Sequence, residues 1–479
     1  MTRIISCKKA ELFRRCQKNK EKLLIMAEKN NQKKIGEQAG VLGQMFDKVI
    51  SKKYGSKRAP EPLIVSTGIH HLDALLGGGH LSSGPIMISS SPESGKSTYC
   101  FQMSGMFHNI YENGIIVYID IEGSGSSQES TEYKVSRSET FGLSKSSRFR
   151  YEPIVLDMKE LFGLIDDLIE QKIAIETKTG REFYVMIVWD SVASTRSSKT
   201  DEVLDHNKII GYKARELSFY LEKALPKLKF NRIFFLCVDQ VRAKLQIDGP
   251  YAPKEKSVGQ FKDMQAASST FSLLHNTQQW LFLSRRKTIT PADGMGIDGW
   301  YLDIVTEKNK LAPSQHAVTC VFDMGKGIDK FWSEYIFLAE KTPSEKKIYK
   351  DKKLPFPLMI EKYNTQRYRL HVIDPQDSSV DYQSDPFYKK EAKQKYKNDE
   401  EFRQWFDYAM QISAHYRITQ GMFKEDEDLY TSKKEVESDV IESEQLYVNN
   451  SEEQIKLQQV QVEEKEEPVN NEETYTSVF

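Results

Sequence analysis

The chain has few cysteines and no long apolar run. Its five cysteines are an odd number among 479 residues, and none occurs in C-x-x-C spacing. This pattern gives no sign of a disulfide framework or a zinc site, and it is typical of a reducing cytoplasm. No stretch of about 18 apolar residues occurs, and the first residues lack the apolar core of a secretory signal. The sequence therefore predicts a cytoplasmic protein that does not enter a membrane.

The chain also has almost no net charge, −1 at neutral pH, but its charges are segregated. Residues 1–58 contain 16 Lys and Arg against 5 Asp and Glu, whereas residues 424–479 contain 5 Lys against 17 Asp and Glu. A basic arm and an acidic tail on one chain indicate binding to a polyanion, with the tail as an internal competitor. Two ends that only increase solubility are the alternative explanation.

The length of the chain predicts two to three folded units with tails. Residues 1–58 are expected to form a basic helical element, because apolar residues recur at three- and four-residue spacing within them. Residues 59–327 are expected to form the main domain, and the aromatic, basic residues 328–423 a small α+β unit. Residues 424–479 are acidic and poor in aromatic residues, which is typical of disorder.

A loop between a predicted strand, residues 85–88, and a predicted helix from Lys96 indicates phosphate binding. In Gly95-Lys96-Ser97-Thr98, glycine lets the backbone approach an oxyanion, lysine reaches the β- and γ-phosphates, and the serine hydroxyl binds Mg²⁺. The usual pattern has glycine at the position of Ser90, and a chance match of so short a string is the alternative. The predicted nucleotide-binding residues of the loop are Ser91, Pro92, Glu93, Ser94, Gly95, Lys96, Ser97 and Thr98.

Three further apolar strands are predicted, and each ends in polar residues. Helices are predicted between them, and alternating strands and helices predict an α/β fold with a mostly parallel sheet. Glu122, Asp190 and Gln240 stand at the strand ends, which lie at the ligand-binding edge of such a sheet. The predicted strands are residues 114–122, 184–191 and 232–240, with later ones at 278–286, 301–306 and 317–322, and the predicted helices run from residue 96 to about 112, 158–175 and 211–228.

These strand-end residues suit a nucleotide hydrolase, which needs a carboxylate for Mg²⁺ and a base for the attacking water. Asp190 is predicted to organise the metal together with Ser97. Glu122 is predicted to hold the water, and Gln240 to hydrogen-bond the γ-phosphate. Helix N-capping is the alternative role for a strand-terminal acid.

A short helix is predicted over residues 70–76, where the glycines at 77–79 end it. His70 and His71 are predicted to lie on its surface rather than to act as ligands.

Six segments in order across about residues 64–330 resemble the RecA family of homologous-recombination ATPases, most like its bacteriophage-encoded members. Residues 66–84 resemble the entry into the family's core, and residues 91–98 its phosphate loop. Tyr118-Ile-Asp-Ile-Glu-Gly123 resembles the strand of the catalytic glutamate, and Val188-Trp-Asp-Ser-Val-Ala193 the Walker B strand. Asp239-Gln-Val-Arg242 resembles the opening of the second DNA-binding loop. Lys308-Asn-Lys-Leu-Ala-Pro313, followed by Gly325-Lys-Gly-Ile-Asp329, resembles the late core signature.

The resemblance implies a RecA-type P-loop ATPase core, an N-terminal element that docks on the next subunit, and ATP and Mg²⁺ as cofactors. It implies a DNA-dependent ATPase that forms a helical homo-oligomeric filament on single-stranded DNA and pairs it with homologous duplex DNA. Glu122 would be the catalytic base, assisted by Lys96 and Gln240, whereas Lys308 and Lys310 would reach the ATP of the neighbouring subunit. A single-strand-binding protein or loading mediator is an expected partner, in recombination, repair and recombination-dependent replication.

The same resemblance implies DNA-binding loops near residues 193–210 and 242–270, in which cations contact phosphates and aromatic rings stack on bases. A mobile solvated loop is the alternative. Duplex DNA is expected to contact residues 328–423, and removal of residues 424–479 is expected to tighten duplex binding. The candidate DNA-binding residues are Arg196, Lys199, Lys208, Arg242, Lys244, Tyr251, Lys254, Lys256, Phe261 and Lys262.

Two other functions are compatible with the sequence. One is an ATP-binding filament scaffold or mediator with slow hydrolysis, which the serine at position 90 permits. The other is a ring helicase or related motor on the same core, which the segment from Lys308 favours less than a recombinase. Residues 123–127 depart from the family where its members contact adenine, so no base-binding residue is named.

Overall fold

A computed structural model of the protein describes residues 59–122, 137–200, 206–243, 264–266, 275–374 and 379–420, with positions 48, 52, 273 and 377. The chain divides into two units, residues 1–61 and residues 62–479. Nearly all described residues belong to the second unit. The predictions of an N-terminal helical element and of an acidic tail lie outside the described residues.

Strands and helices alternate along the first half of the second unit, as the sequence predicted. The elements are β1 (Ile64–Val65), α1 (His70–Leu76), β2 (His80–Leu81), β3 (Pro85–Ser90), α2 (Lys96–Ile110), β4 (Gly114–Asp120), β5 (Phe149–Glu152), α3 (Met158–Thr179), β6 (Tyr184–Asp190), α4 (His206–Phe230), β7 (Phe234–Ala243) and β8 (Met264–Ala266). Strand β5 was not predicted, because a strand of four residues carries little periodicity.

Strands dominate the middle of the unit, and helices and strands are mixed in its last third. The elements are β9 (Gln279–Ile289), β10 (Gly299–Asn309), β11 (Ala317–Asp323), β12 (Gly327–Ile328), α5 (Lys330–Ala339), α6 (Pro343–Ile348), β13 (Ile360–Lys362), β14 (Arg367–Ile373), β15 (Asp381–Gln383), β16 (Phe387–Tyr388), α7 (Ala392–Asn398) and α8 (Glu400–Ala414).

A ten-stranded sheet lies at the centre of the described residues. Six neighbouring strands are parallel, in the order β5-β4-β6-β7-β3-β9, and β10, β11 and β12 continue from β9 as antiparallel strands. The predicted α/β fold with a mostly parallel central sheet is therefore confirmed. Strand β3, which leads into the phosphate loop, lies between β7 and β9.

The parallel strands are buried on both faces. Alternate residues of β6 enter two separate clusters: Met186 and Val188 join one, whereas Ile187 and Trp189 join the other. Because successive side chains of a strand point to opposite faces, helices must cover both sides of the sheet. Helices α3 and α4 pack on the face of Trp189, and α2 packs on the face of Val188.

Local signals explain where helices α1 and α3 begin and end, although α3 continues to Thr179, four residues beyond its predicted end. Helix α1 spans the predicted residues and ends at Gly77, whose φ of 80° is left-handed. Helix α3 begins after Asp157, whose side chain accepts a hydrogen bond from the Glu160 amide in a capping box, and it ends at Gly180 with φ of 65°.

The predicted surface position of His71 is wrong. His71 is completely buried and stacks on Phe337 of α5, with ring centroids 4.8 Å apart. Helix α1 is covered by the C-terminal part of the unit, which the sequence of α1 alone does not show. His70 remains partly exposed, and its Nδ1 lies 2.7 Å from Oε1 of Glu334.

The last third of the unit carries a four-stranded antiparallel sheet of β13, β14, β15 and β16 together with helices α5 to α8. Phe331, Phe402 and Phe406 pack together, so the aromatic composition of this region forms a core. No helix among the described residues is both long and apolar enough to cross a membrane.

Candidate functional site

The polar strand ends meet at one edge of the parallel sheet. In the strand register Asp120 of β4 lies opposite Asp190 of β6, and Ser90 of β3 lies opposite Gln240 of β7. Asp190 lies opposite Val238, two residues before Gln240. The structure therefore brings the predicted acid and amide to the edge from which the phosphate loop leaves.

The phosphate loop enters helix α2 through a left-handed residue. Gly95 immediately precedes the helix with φ of 94°, and a Cβ there would lie 2.6 Å from the ring of Phe322. Both observations require glycine at this position. The amide groups at the start of α2 would therefore point toward an anion bound in the loop.

Ser90 replaces the usual first glycine without backbone strain. It is the last residue of β3 and pairs with Gln240 and Leu283, so its backbone is extended. Its hydroxyl donates to the Ser91 carbonyl at 2.6 Å and accepts from Nζ of Lys96 at 3.0 Å. A serine therefore fits this position, and its hydroxyl adds a hydrogen-bond acceptor for the lysine.

Lys96 points back along its own loop. Its Nζ donates to the Ser90 carbonyl at 3.4 Å and to the Ser91 carbonyl at 3.0 Å. Burial lowers the pKa of Lys96, whereas the nearby carboxylates of Asp190 and Glu122 act in the opposite direction. A phosphate at the loop would exchange these loop oxygens for its own as partners of the ammonium group.

Ser97 and Asp190, the predicted Mg²⁺ residues, are in direct contact. The Ser97 hydroxyl donates to Oδ2 of Asp190 at 2.8 Å. The Tyr118 hydroxyl, on neighbouring strand β4, donates to the same oxygen at 2.6 Å. Burial, with Asp190 beside it, raises the pKa of Tyr118 well above its ordinary value, so this hydroxyl stays protonated and remains a donor. Sequence reasoning missed Tyr118, whose apolar surroundings predict only a core residue.

The donor set of Ser97 and Asp190 fits Mg²⁺ in a nucleotide site. Mg²⁺ prefers oxygen ligands, and with nucleotides it uses one or two protein groups together with phosphate oxygens and water. The described residues contain no group of three or more His, Cys, Asp or Glu side chains that could hold a metal ion by themselves.

Glu122 accepts three hydrogen bonds on one oxygen. Its Oε1 accepts from the Ser191 hydroxyl at 2.9 Å, from the Ser194 hydroxyl at 3.1 Å and from Nε2 of Gln240 at 2.9 Å. The two predicted residues, Glu122 and Gln240, are thus in contact. The serines were missed, although their place just after the strand of Asp190 puts them at the same edge.

Two buried carboxylates at this edge were also missed. Asp120 accepts a 2.6 Å hydrogen bond from the Tyr151 hydroxyl, and Asp239 accepts one from the Gln240 amide at 3.0 Å. Both side chains are completely buried. Asp239 acts electrostatically on Lys96 in the same direction as Asp190 and Glu122. The pattern of two acids at the end of a predicted strand could have indicated Asp120.

Lys308 and Lys310 lie near the amino ends of the parallel strands, on the opposite side of the sheet from the carboxyl ends where the phosphate loop begins. Asn309 pairs with Gln279, the first residue of β9, and Gln279 lies opposite Ile86 near the start of β3. Nζ of Lys308 donates to the His275 carbonyl at 2.9 Å, and burial, with Lys310 nearby, lowers its pKa. Within one chain these lysines are one strand length away from the phosphate loop.

The candidate DNA-binding residues are described only in part. Arg196 and Lys199 are exposed, and Nζ of Lys199 lies 5.5 Å from the ring centroid of Tyr212. The expected loop at 242–270 includes strand β8, Met264–Ala266, which pairs with the end of β7. The side chains of Lys208, Arg242, Lys244, Tyr251, Lys254, Lys256, Phe261 and Lys262 lie outside the described part.

Comparison of the chain with protein-family models finds no match, and comparison with curated proteins finds none either.

Proposed function

We propose that this protein is an ATP- and DNA-dependent recombinase. It would form a filament on single-stranded DNA in the cytoplasm, pair that strand with homologous duplex DNA and exchange strands. The proposal rests on the residues at the phosphate-loop edge of the sheet. The resemblance of six ordered sequence segments to the RecA family supports it.

One observation carries the proposal: the two residues predicted to bind Mg²⁺ lie beside the residue predicted to act as general base and its γ-phosphate-binding neighbour. Ser97 contacts Asp190, and Glu122 contacts Gln240, at the ends of β6 and β7 and beside the start of α2. Four residues from four distant segments thus form one polar edge. This arrangement supports phosphoryl-transfer chemistry, in which positioning and charge stabilisation do most of the work.

Each residue has a task that follows from its position. Lys96 and the first amides of α2 would bind phosphate oxygens, and Ser97 with Asp190 would hold the metal. Mg²⁺ bound there would neutralise charge on the phosphates of ATP. Glu122 would orient the attacking water, and Gln240 would contact the γ-phosphate. Strand β7, which carries Gln240, leads into the second DNA-binding segment.

The far position of Lys308 and Lys310 supports a site shared between subunits. In a head-to-tail filament the two different edges of successive subunits face each other. Lysines at the edge opposite the phosphate loop can then reach the nucleotide of the next subunit. Hydrolysis would depend on assembly for this reason.

ATP turnover with and without single-stranded DNA, together with a D-loop assay, tests the proposal. We expect turnover that DNA stimulates strongly, D-loop formation, and loss of both with Lys96→Ala. Turnover that survives Lys96→Ala would overturn the site assignment. Directional unwinding of a forked duplex would point to a helicase instead.

A second candidate is an ATP-binding filament scaffold with slow hydrolysis. The contacts of Lys96 with Ser90 and Ser91 favour it, because the lysine must leave three loop oxygens before it can contact phosphate. DNA binding without turnover in the same assays would support the scaffold.

A further inference from the structure

The carboxylate of Glu122 is held from two sides. Ser194 lies in the first predicted DNA-binding segment, residues 193–210, and Gln240 lies two residues before the second, residues 242–270. Both donate to Oε1 of Glu122, at 3.1 Å and 2.9 Å, and Ser191 donates to it as well. The residue proposed to act as the base is therefore tied to the beginnings of both segments.

Three donors occupy the acceptor capacity of Oε1. A carboxylate offers about four lone-pair sites over its two oxygens, which is about two for each. With three donors, Oε1 has no lone pair left for a proton from water, so the proton must go to Oε2. The same donors fix the plane of the carboxylate and therefore the direction of Oε2, so aiming Oε2 at a water in another position requires that at least one donor leaves.

Ser194 is the donor that can leave most easily. Ser194 and Glu122 are both exposed, so water can replace the lost hydrogen bond at little cost. Ser191, by contrast, is buried directly after β6. Ser194 also has an alternative partner, since its hydroxyl lies 3.0 Å from that of Ser191.

A DNA phosphate can act on Ser194 through a short connection. Arg196, which is exposed, follows it after one residue, and Lys199 lies three residues further. The residue between is anchored: the Thr195 hydroxyl donates to the Ser191 carbonyl at 3.0 Å and accepts from the Trp189 indole at 2.8 Å. The backbone of Arg196 is anchored too, because its carbonyl accepts from the Met158 amide at 3.0 Å. A phosphate held by the Arg196 side chain therefore acts on Ser194 by accepting a hydrogen bond from its exposed hydroxyl in place of Glu122.

We propose that Ser194 is a positioning residue that restrains Glu122 until DNA binds at Arg196 and Lys199. This inference rests on the proposed recombinase function and adds the regulation of the same site. In the restrained state the Glu122 carboxylate is not aimed at the attacking water. DNA binding shifts the protein to a released state, in which the hydrogen bond from Ser194 to Glu122 is absent. Because DNA favours the state without the contact, loss of the contact must strengthen DNA binding by linkage. Hydrolysis without DNA is expected to rise for a separate reason, since Glu122 is then free to reorient.

Ser194→Ala removes the contact and is the test. We expect turnover without DNA to rise about 3- to 10-fold, as for the loss of one hydrogen bond, while the DNA-stimulated rate stays unchanged. The ratio of stimulated to basal turnover then falls by the same factor. Affinity for a fluorescent oligo(dT) strand, measured by anisotropy without nucleotide, is expected to rise by a similar factor.

Two matched variants separate this role from a merely structural one. Thr177→Ala removes an exposed hydroxyl from α3, outside the DNA-binding segments, where it donates to the Ile173 carbonyl, and should leave the ratio and the affinity unchanged. Ser194→Thr keeps a hydroxyl and should restore both values toward the wild type.

The outcomes distinguish this inference from the proposed function. An unchanged ratio and affinity in Ser194→Ala, in a wild-type protein that DNA stimulates, would overturn the inference and leave the function intact. Equal effects of Thr177→Ala would also overturn it. A wild-type protein that neither hydrolyses ATP nor binds the oligonucleotide would overturn both.

Discussion

At the scale of single residues, the proposed metal position depends on a hydroxyl from the core. Oδ2 of Asp190 accepts from Ser97, which would face the metal, and from Tyr118, which lies behind it. The tyrosine ring is completely buried and stacks on Phe101 with centroids 4.5 Å apart. Tyr118 therefore fixes the carboxylate from a rigid position, as groups behind metal ligands commonly do.

Tyr118→Phe tests this support. The ring keeps its packing, but Asp190 loses one donor and its orientation. We expect the Mg²⁺ concentration for half-maximal ATP turnover to rise about 10-fold. Tyr151→Phe is the control, because it removes a comparable hydroxyl from Asp120 instead. An equal Mg²⁺ requirement in the two variants would contradict the role of Tyr118.

A second residue links stability to pH. Burial lowers the pKa of His71 to about 3, so its imidazole is neutral in the folded protein at neutral pH. In the unfolded chain a histidine takes up its proton near pH 6.5. The unfolded state therefore binds more protons as pH falls from about 6.5 toward 3, and stability present above that range is lost across it.

We expect His71→Phe to weaken this pH dependence, since phenylalanine keeps the stacking on Phe337 and does not titrate. The wild type should lose about 2 kcal/mol of unfolding free energy through His71 between about pH 7 and pH 5. Urea unfolding at both pH values measures the difference. A variant with the full wild-type dependence would show that His71 is not the source.

At the scale of elements, a buried polar network joins five segments where β9 begins. The Gln279 side chain accepts from the Leu81 amide at 3.2 Å and donates to the Gly79 carbonyl at 2.9 Å. His80 contacts Gln279 through Nδ1 at 3.1 Å and the Tyr99 hydroxyl through Nε2 at 2.7 Å. The network thus connects β2, α2 and β9, and through Leu76 and Asn309 it reaches α1 and β10.

Gln279→Leu should be strongly destabilising. The leucine fills the volume but leaves the buried groups of Leu81, Gly79 and His80 without this partner, at a cost of about 3 kcal/mol. The neighbouring Gln278→Leu, at a partly exposed position, should cost less than about 1 kcal/mol. Denaturant unfolding of both variants measures this contrast, and similar losses would argue against the network.

At the scale of the whole molecule, the proposed catalytic groups are divided between two edges. The phosphate loop, Asp190 and Glu122 occupy one edge of the parallel sheet, and Lys308 and Lys310 occupy the other. No movement within one folded chain brings these edges together, because the sheet is rigid and packed on both faces. Assembly is the simplest way to complete the site.

Filaments that contain two different variants test whether the catalytic groups come from two subunits. Lys96→Ala lacks the loop lysine and Lys310→Ala lacks a lysine of the opposite edge, so each variant alone should be inactive. In an equal mixture, one interface in four combines an intact loop with an intact Lys310, and turnover should recover to about a quarter of the wild type. No recovery on mixing would contradict a site shared between subunits.

Much of the site was predictable because its signals are local. Gly95 to Thr98 show the loop by residue type alone, and Asp190 and Gln240 end recognisable apolar runs. Tyr118 and Ser194 carried no such signal, since a tyrosine within a strand and a serine after one are common. The burial of His71 was not predicted because nothing in the sequence of α1 indicates that residues of α5 cover it.

The sequence by itself determined where the longer strands and helices lie as far as β11, and which chemical groups end those strands. These features follow from apolar periodicity, caps and turn residues, which act over a few positions. Only the tertiary structure decided which strands are neighbours, and so which side chains meet. The order β6-β7-β3 places Asp190 and Gln240 beside the loop. Strand β10 runs antiparallel to β9, so Lys308, near the end of β10, lies at the side of the sheet opposite the loop. Long-range packing sets that order, because buried strands of similar composition can pair in many ways until both faces are covered.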